Sequence, residues 1–299
     1  MGIVFIGSQE IGYDCLQQII QMKIDVDAIF TFKPEKHEKW EKSVDIIAQK
    51  EQIPLFFSEN LTVEKIKEIN PKAIMVVGYR KLFSEDILEI PKKGIIGLHA
   101  SLLPNLRGFA PLNWAIINGE QKTGITMFLM NKQVDNGDII AQKEIEINDE
   151  HTIVDLKNKI SQFAVELIKE NLFKVLDENP ILIKQPENGT YGCKRIPDDG
   201  VINWGKNSRD IFNLIRGLEP TYPAFTFLKS KKLYIKKSKL DKSNHKYFGV
   251  PGQIAQIFDD GSVNIITGNG LLRILKVNFE NEKEIDANII LNSYSMRLS

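Results

Sequence analysis

Residues 3 to 22 read Ile3-Val-Phe-Ile6-Gly7-Ser8-Gln-Glu-Ile11-Gly12-Tyr-Asp-Cys15-Leu-Gln-Gln-Ile-Ile-Gln-Met22. A short apolar run stops at Gly7-Ser8, and apolar residues then recur at helical spacing from Ile11 to Met22. That pattern is strand, glycine turn, helix. Gly7-x-x-x-x-Gly12 would place backbone amides at a helix N-terminus, where an anion is favoured. It lacks both the G-x-G-x-x-G spacing of a dinucleotide site and the G-K-[ST] ending of a P-loop. A plain tight turn and a phosphate contact both stay open here.

Working outward, Val26 to Phe30 is a second apolar run, and the charged stretch Lys33 to Lys42 reads as a solvated loop. A helix is expected over Val44 to Lys50, a strand over Ile53 to Phe57, a helix over Val63 to Ile69 and a strand over Ala73 to Val77. Strands alternating with helices in this way give a parallel sheet with right-handed crossovers. Gly94 to His99 and Gly124 to Met130 add strands, and Asp155 to Leu176 is a long helix. The pattern changes near Gln185. After Pro223 come short alternating runs separated by turns such as Asp259-Asp-Gly261 and Gly268-Asn-Gly270, which read as a small antiparallel barrel or sandwich. The expected division is 1-184, a linker at 185-206, and 207-299.

Composition sets bounds. Of 299 residues, 42% are hydrophobic and 26% charged, as in an ordinary soluble globular protein. Lys+Arg and Asp+Glu are both 39, whereas a chain that grips phosphates usually carries a basic excess. Cys15 and Cys193 stand far apart, outside any C-x-x-C pair, so no zinc or disulfide framework is indicated. They read as reduced, mostly buried thiols. No apolar stretch approaches the ~20 residues of a membrane span, and the expected location is cytoplasmic. His37, His151 and His245 read as surface histidines.

The chemistry concentrates between residues 94 and 138. His99 leaves an apolar strand and enters a loop holding Pro104, Arg107 and Pro111. Carboxyl ends of parallel strands are where open α/β sheets hold ligands, and a histidine there suits proton transfer. Three blocks follow in order: His99-Ala-Ser101-Leu-Leu-Pro104-Asn-Leu-Arg107-Gly108-Phe-Ala-Pro111, Gly119-Glu120-Gln-Lys-Thr123-Gly124-Ile-Thr126, and Asp135-Asn-Gly137-Asp138-Ile139.

These blocks resemble the formyltransferases that act on methionyl-tRNA or on nucleotide-linked amino sugars. The resemblance continues through Lys194 to Trp204, Arg216 to Pro223, and the turns at Pro251 and Thr267. It implies a Rossmann-like formyltransferase domain with a mainly parallel sheet, followed by a small OB-like β-barrel. It also implies 10-formyltetrahydrofolate as cosubstrate, with no metal, and attack by a substrate amine on the formyl carbon. The resulting oxyanion needs a donor, and the amine proton needs an acceptor. By the resemblance, His99 supplies the donor and proton transfer, while Asp135 orients the imidazole and favours its protonated form.

By the resemblance, Tyr79, Leu82, Val134 and Asp138 fall in the regions that form the folate pocket, and for Tyr79 and Leu82 a plain packing role stays open. The resemblance makes Ser8, Ser101, Arg107, Arg195 and Trp204 the expected acceptor contacts, with a surface arginine on a loop as the other reading of Arg107. The family usually has an asparagine two residues before the histidine, where this chain has Gly97. Restoring it is expected to raise turnover, since one oxyanion donor is typically worth ~10²–10³ in rate. Pro111 to Gly119 looks more like the sugar-nucleotide branch, and neutral charge agrees, so the expected acceptor is a 4-amino sugar on a nucleotide. Methionyl-tRNA is the alternative, and a non-catalytic folate- or nucleotide-binding homologue is the alternative of another class. A homodimer is the assembly the resemblance implies.

Overall fold

The computed structural model describes residues 2–33, 42–178, 180–218, 220, 222–243 and 245–299. His37 and most of the charged stretch around it lie outside the described residues. The chain divides into two compact units. The first is Met1–Pro111, Lys122–Glu146 and Lys157–Cys193, and the second is Leu112–Gln121, Ile147–Leu156 and Lys194–Ser299.

The first unit is a seven-stranded sheet. In chain order come β1 (Ile3–Gly7), α1 (Gln9–Gln21), β2 (Val26–Thr31), α2 (Val44–Glu51), β3 (Leu55–Phe57), α3 (Val63–Ile69), β4 (Ala73–Val77), α4 (Glu85–Leu88) and β5 (Ile95–His99). A two-residue strand β6 (Arg107–Gly108) follows, then β7 (Lys122–Leu129), β8 (Ile139–Glu146), α6 (Ile153–Asp177) and β9 (Tyr191–Gly192); helix α5 (Pro111–Ile117), between β6 and β7, belongs to the second unit after Pro111, as does the first turn of α6. The sheet order is β3-β2-β1-β4-β5-β7-β8. Pairing is parallel from β3 to β5 and antiparallel where β7 meets β5 and β8. All of β1 and β4 is buried, which is why both read as unbroken apolar runs: helices cover the two faces of a parallel sheet.

The edge strand β8 went unread in the sequence. It runs Ile-Ile-Ala-Gln-Lys-Glu-Ile-Glu with mostly half-buried or exposed positions, so its apolar signal is thin. Small β6 pairs in parallel with β9, aligning Arg107 with Tyr191 and Gly108 with Gly192. That pairing anchors the loop leaving β5.

The second unit holds α7 (Ser208–Leu218), β10 (Phe225–Leu228), β11 (Lys231–Leu240), β12 (Ile254–Ile257), β13 (Val263–Ile266), β14 (Leu271–Phe279), β15 (Ile285–Asp286) and α8 (Ala287–Ile290). Its strands form one antiparallel sheet ordered β10-β11-β14-β13-β12, with β15 added to β14. The expected barrel is thus a curled, open path of strands. Ile211, Phe212, Ile215 and Leu218 from α7 share a buried cluster with Leu233, Ile235, Leu272 and Ile274. One apolar stripe of an amphipathic helix closes one face of the sheet.

Candidate active site

His99 is the last residue of β5 and is 8% exposed. Its ring faces two acceptors: Nε2 lies 2.7 Å from the Leu106 carbonyl oxygen, and Nδ1 lies 3.4 Å from Asp135 Oδ2. A neutral imidazole carries one N–H and satisfies one such acceptor. The doubly protonated ring satisfies both. The arrangement is that of a group able to hold, give up and regain a proton while its orientation stays fixed.

The loop after β5 is tied down at each turn. Thr126, opposite His99 on β7, donates its hydroxyl to Ser101 O (2.7 Å) and accepts from Leu103 N (3.1 Å). Ser101 Oγ donates to Asn105 O at 2.6 Å. Leu106 N donates to Thr190 Oγ1 at 2.8 Å, and Phe109 N to Gly192 O at 2.9 Å. These bonds carry Leu106 back over the histidine ring.

Asp135 enters from the β7–β8 loop in a left-handed conformation, φ 49°. Its Oδ2 accepts from Gly108 N at 2.8 Å while facing His99. Gly108 has φ 83°, and a Cβ there would stand 2.9 Å from Gly192 O. Only glycine brings that amide to the carboxylate without strain.

Gly97 lies in β5 two residues before His99 and pairs with Phe128 across β7. A Cβ on Gly97 would meet Phe128 Cε1 at 2.8 Å and Met130 Cγ at 3.1 Å. The buried Phe128 ring therefore covers the face on which an asparagine at 97 would project. This packing works against the gain in turnover expected from an asparagine at 97.

The residues expected in the folate pocket sit on the first unit. Tyr79, two residues beyond β4, is half-buried and stacked on Phe83 at 5.4 Å, and burial pushes its phenol up. Leu82 is 72% exposed. Val134 and Asp138 flank Asp135, and the Asp138 carbonyl accepts from Leu129 N at 2.9 Å.

Several expected acceptor contacts prove to be inward-facing. Ser8 is fully buried and donates to Gly78 O at 2.8 Å, tying the first turn to the end of β4. Ser101 is committed to Asn105. Arg107 is 1% exposed, with its guanidinium on Gln185 Oε1, the Pro186 carbonyl and the Tyr191 hydroxyl. It has no free face for a ligand.

In the second unit, Trp204 is 4% exposed and donates its indole N–H to Thr226 Oγ1 at 2.9 Å. It is a core residue, because a large apolar ring with a satisfied polar tip is most stable inside. Arg195 differs. Its guanidinium lies 5.2 Å from the Trp114 ring centre, its Nη2 is buried without a hydrogen-bond partner, and burial pushes its pKa down.

Sequence reasoning missed Gln185. It is 6% exposed and bonds the backbone on both sides of the Asp135 turn. Nothing in its neighbourhood marks it, since Gln185-Pro-Glu-Asn-Gly reads only as a link. Among the described residues, no group of three or more His, Cys, Asp or Glu could hold a metal ion. No helix among them is long and apolar enough to cross a membrane.

A mainly parallel sheet with a histidine–carboxylate pair at the carboxyl end of one strand defines an α/β protein whose paired side chains have the chemistry to pass a proton. The formyl transferase model matches residues 1–172 and the formyl transferase C-terminal domain model matches residues 195–295, so the chain belongs to the formyl transferase family. The methionyl-tRNA formyltransferase of Thermodesulfovibrio yellowstonii is 37% identical over 297 residues, covering 96% of this chain and 94% of that protein. The bifunctional polymyxin resistance protein ArnA of Wigglesworthia glossinidia brevipalpis is 36% identical over 262 residues, covering 85% of this chain and 40% of that protein. The fold is shared with an N-formyltransferase from Helicobacter canadensis solved with folinic acid and dTDP-3-aminofucose. There the TM-score is 0.73 at 20% identity, over 92% of this chain and 98% of that one. Members of the family use formyl-tetrahydrofolate to formylate amines, and this chain is a transferase.

Proposed function

We propose that the chain formylates the amine of methionyl-tRNA with 10-formyltetrahydrofolate as donor, in the cytoplasm, and that His99 and Asp135 carry the proton chemistry. The donor supplies an activated formyl carbon. His99 holds a proton for the oxygen or nitrogen on which charge develops, and takes one from the attacking amine. Asp135 keeps the ring turned and balances its charge. Tyr79, Leu82 and Val134, each at least partly exposed, are the apolar side chains assigned to the pterin ring in this reading.

One observation carries the choice of acceptor. Residues 231–246, which span β11 and the segment after it, are locally basic: Lys231, Lys232, Lys236, Lys237, Lys239, Lys242 and Lys246 stand against Asp241 alone. Lys237, Lys239, Lys242 and Lys246 are exposed. The neutral balance of the whole chain conceals this cluster, and phosphate binding depends on local charge. The relatives that align over nearly the full chain support the same reading.

A nucleotide-linked amino sugar is the second reading, supported by Pro111 to Gly119 and by the likeness to ArnA. Arg195 on Trp114, with one orphan donor, would then serve a phosphate or a base. A transfer assay offering methionyl-tRNA and amino-sugar nucleotides side by side separates the two. Lys237→Glu with Lys239→Glu should raise KM for methionyl-tRNA roughly tenfold or more and weaken its salt dependence. Preference for the sugar nucleotide, with no effect of the lysine changes, would reverse the assignment.

A further inference from the structure

Gln185 fills every polar valence of its amide. Oε1 accepts from Arg107 Nε at 3.1 Å and Nη2 at 2.8 Å, and Nε2 donates to Asp135 O at 3.0 Å and Gly137 O at 2.7 Å. Arginine only donates and carbonyls only accept, so the amide has a single satisfactory orientation. Its backbone neighbour joins in, since the Pro186 carbonyl accepts from Arg107 Nη2 at 3.2 Å.

These bonds close a ring around the catalytic carboxylate. Arg107 precedes Gly108, whose N–H binds Asp135 Oδ2 at 2.8 Å. The Arg107 side chain binds Gln185, and Gln185 returns to the backbone of Asp135 itself. Asp135 needs such support, because a left-handed backbone at a residue with a Cβ is costly and persists only where its surroundings over-determine it. Buried hydrogen-bonded networks of this kind hold a single geometry when every member is satisfied.

We propose that Gln185 is a positioning residue, which with Arg107 clamps the Asp135 turn so that the carboxylate faces His99. The proposal rests on the transferase reading, but its geometry concerns residues of this chain alone. A purely structural role would tie the segment around 185 to the sheet without moving the His99 ring.

The discriminating variant is Gln185→Glu. It keeps length and the bonds to Arg107 but turns a carboxylate oxygen onto the Asp135 and Gly137 carbonyls, with no donor between them. We expect kcat to fall roughly 10²-fold, the scale of a small misplacement of a catalytic group, with KM for both substrates unchanged. The ring nitrogens of His99, assigned by ¹⁵N NMR through their loss in His99→Gln, should shift toward their position in Asp135→Asn. In an Asp135→Asn background, adding Gln185→Glu should lower kcat little further, because both changes act on one contact.

A folded Gln185→Glu protein with the His99 signals unmoved overturns the proposal, as does a full multiplicative loss in the double variant. The NMR readout needs no turnover, so a wild-type protein that moves no formyl group would sink the transferase reading and leave the clamp to be judged by itself. If Gln185→Glu fails to fold, Arg107→Lys loosens the fork on Oε1 without burying a new negative charge, and the same two readouts apply.

Discussion

Phe128 stands directly across from Gly97 in the β5–β7 pair, its Cε1 2.8 Å from where a Cβ on residue 97 would lie. A real Cβ does not tolerate that distance, so the missing side chain at 97 and the ring at 128 are one packing arrangement. The space beside Gly97 is filled by this buried aromatic ring.

Gly97→Asn alone is therefore expected to leave turnover at or below the wild-type level. It should also lower stability by about 1–3 kcal/mol, the usual range for overpacking a core. Gly97→Asn combined with Phe128→Ala makes room for the amide, and a gain in kcat is expected only there. Thermal unfolding and kcat for the two variants check this together.

Arg107→Met should behave as a core mutation. It leaves Gln185 Oε1 and the Pro186 carbonyl without their donor, and each buried unsatisfied group costs about 1–3 kcal/mol. The unfolding midpoint and kcat should both fall while KM for the acceptor holds. A selective rise in that KM would return Arg107 to the acceptor-contact role its motif implied.

Much of the first unit was legible because burial on both faces makes β1 and β4 unbroken apolar runs and Gly7 punctuates the first turn. His99 and Asp135 were legible through motifs, and the structure sets them 3.4 Å apart. What stayed hidden was pairing between distant residues. Arg107 reads as an acceptor contact until Gln185 is placed beside it, Trp204 likewise until Thr226 takes its N–H, and β8 is an edge strand with little apolar signal. Sequence spacing reports periodicity along one element, whereas these contacts span dozens of residues.

The second unit carries an acid-sensitive contact. The Asp260 carboxyl is held down at about 2, from 3.8, first by the Ser262 hydroxyl and backbone and then by Arg273. The folded state there binds fewer protons than the unfolded chain, so the contact stabilises above pH 3.8 and its contribution disappears as pH falls toward 2. Asp260→Asn should be less stable than wild type at neutral pH, and the two should converge under acid. Denaturant unfolding as a function of pH measures the difference.

Cys15 is buried, and burial pushes its thiol far up, whereas Cys193 is exposed rather than buried as its sequence context implied. A thiol reagent should modify Cys193 in the native protein and reach Cys15 only on unfolding. Mass spectrometry of the labelled chain reads this directly, and equal labelling rates would contradict the placement of Cys15.

The most direct test of the central claim is single-turnover transfer of labelled formyl from 10-formyltetrahydrofolate by wild type, His99→Ala and Asp135→Asn. Wild type should formylate methionyl-tRNA, and each variant should be slower by roughly 10²–10⁴-fold, the usual contribution of a positioned proton-transfer group, while folding normally. Wild-type rates in His99→Ala, or a folded wild type that transfers formyl to neither methionyl-tRNA nor an amino-sugar nucleotide, would contradict it.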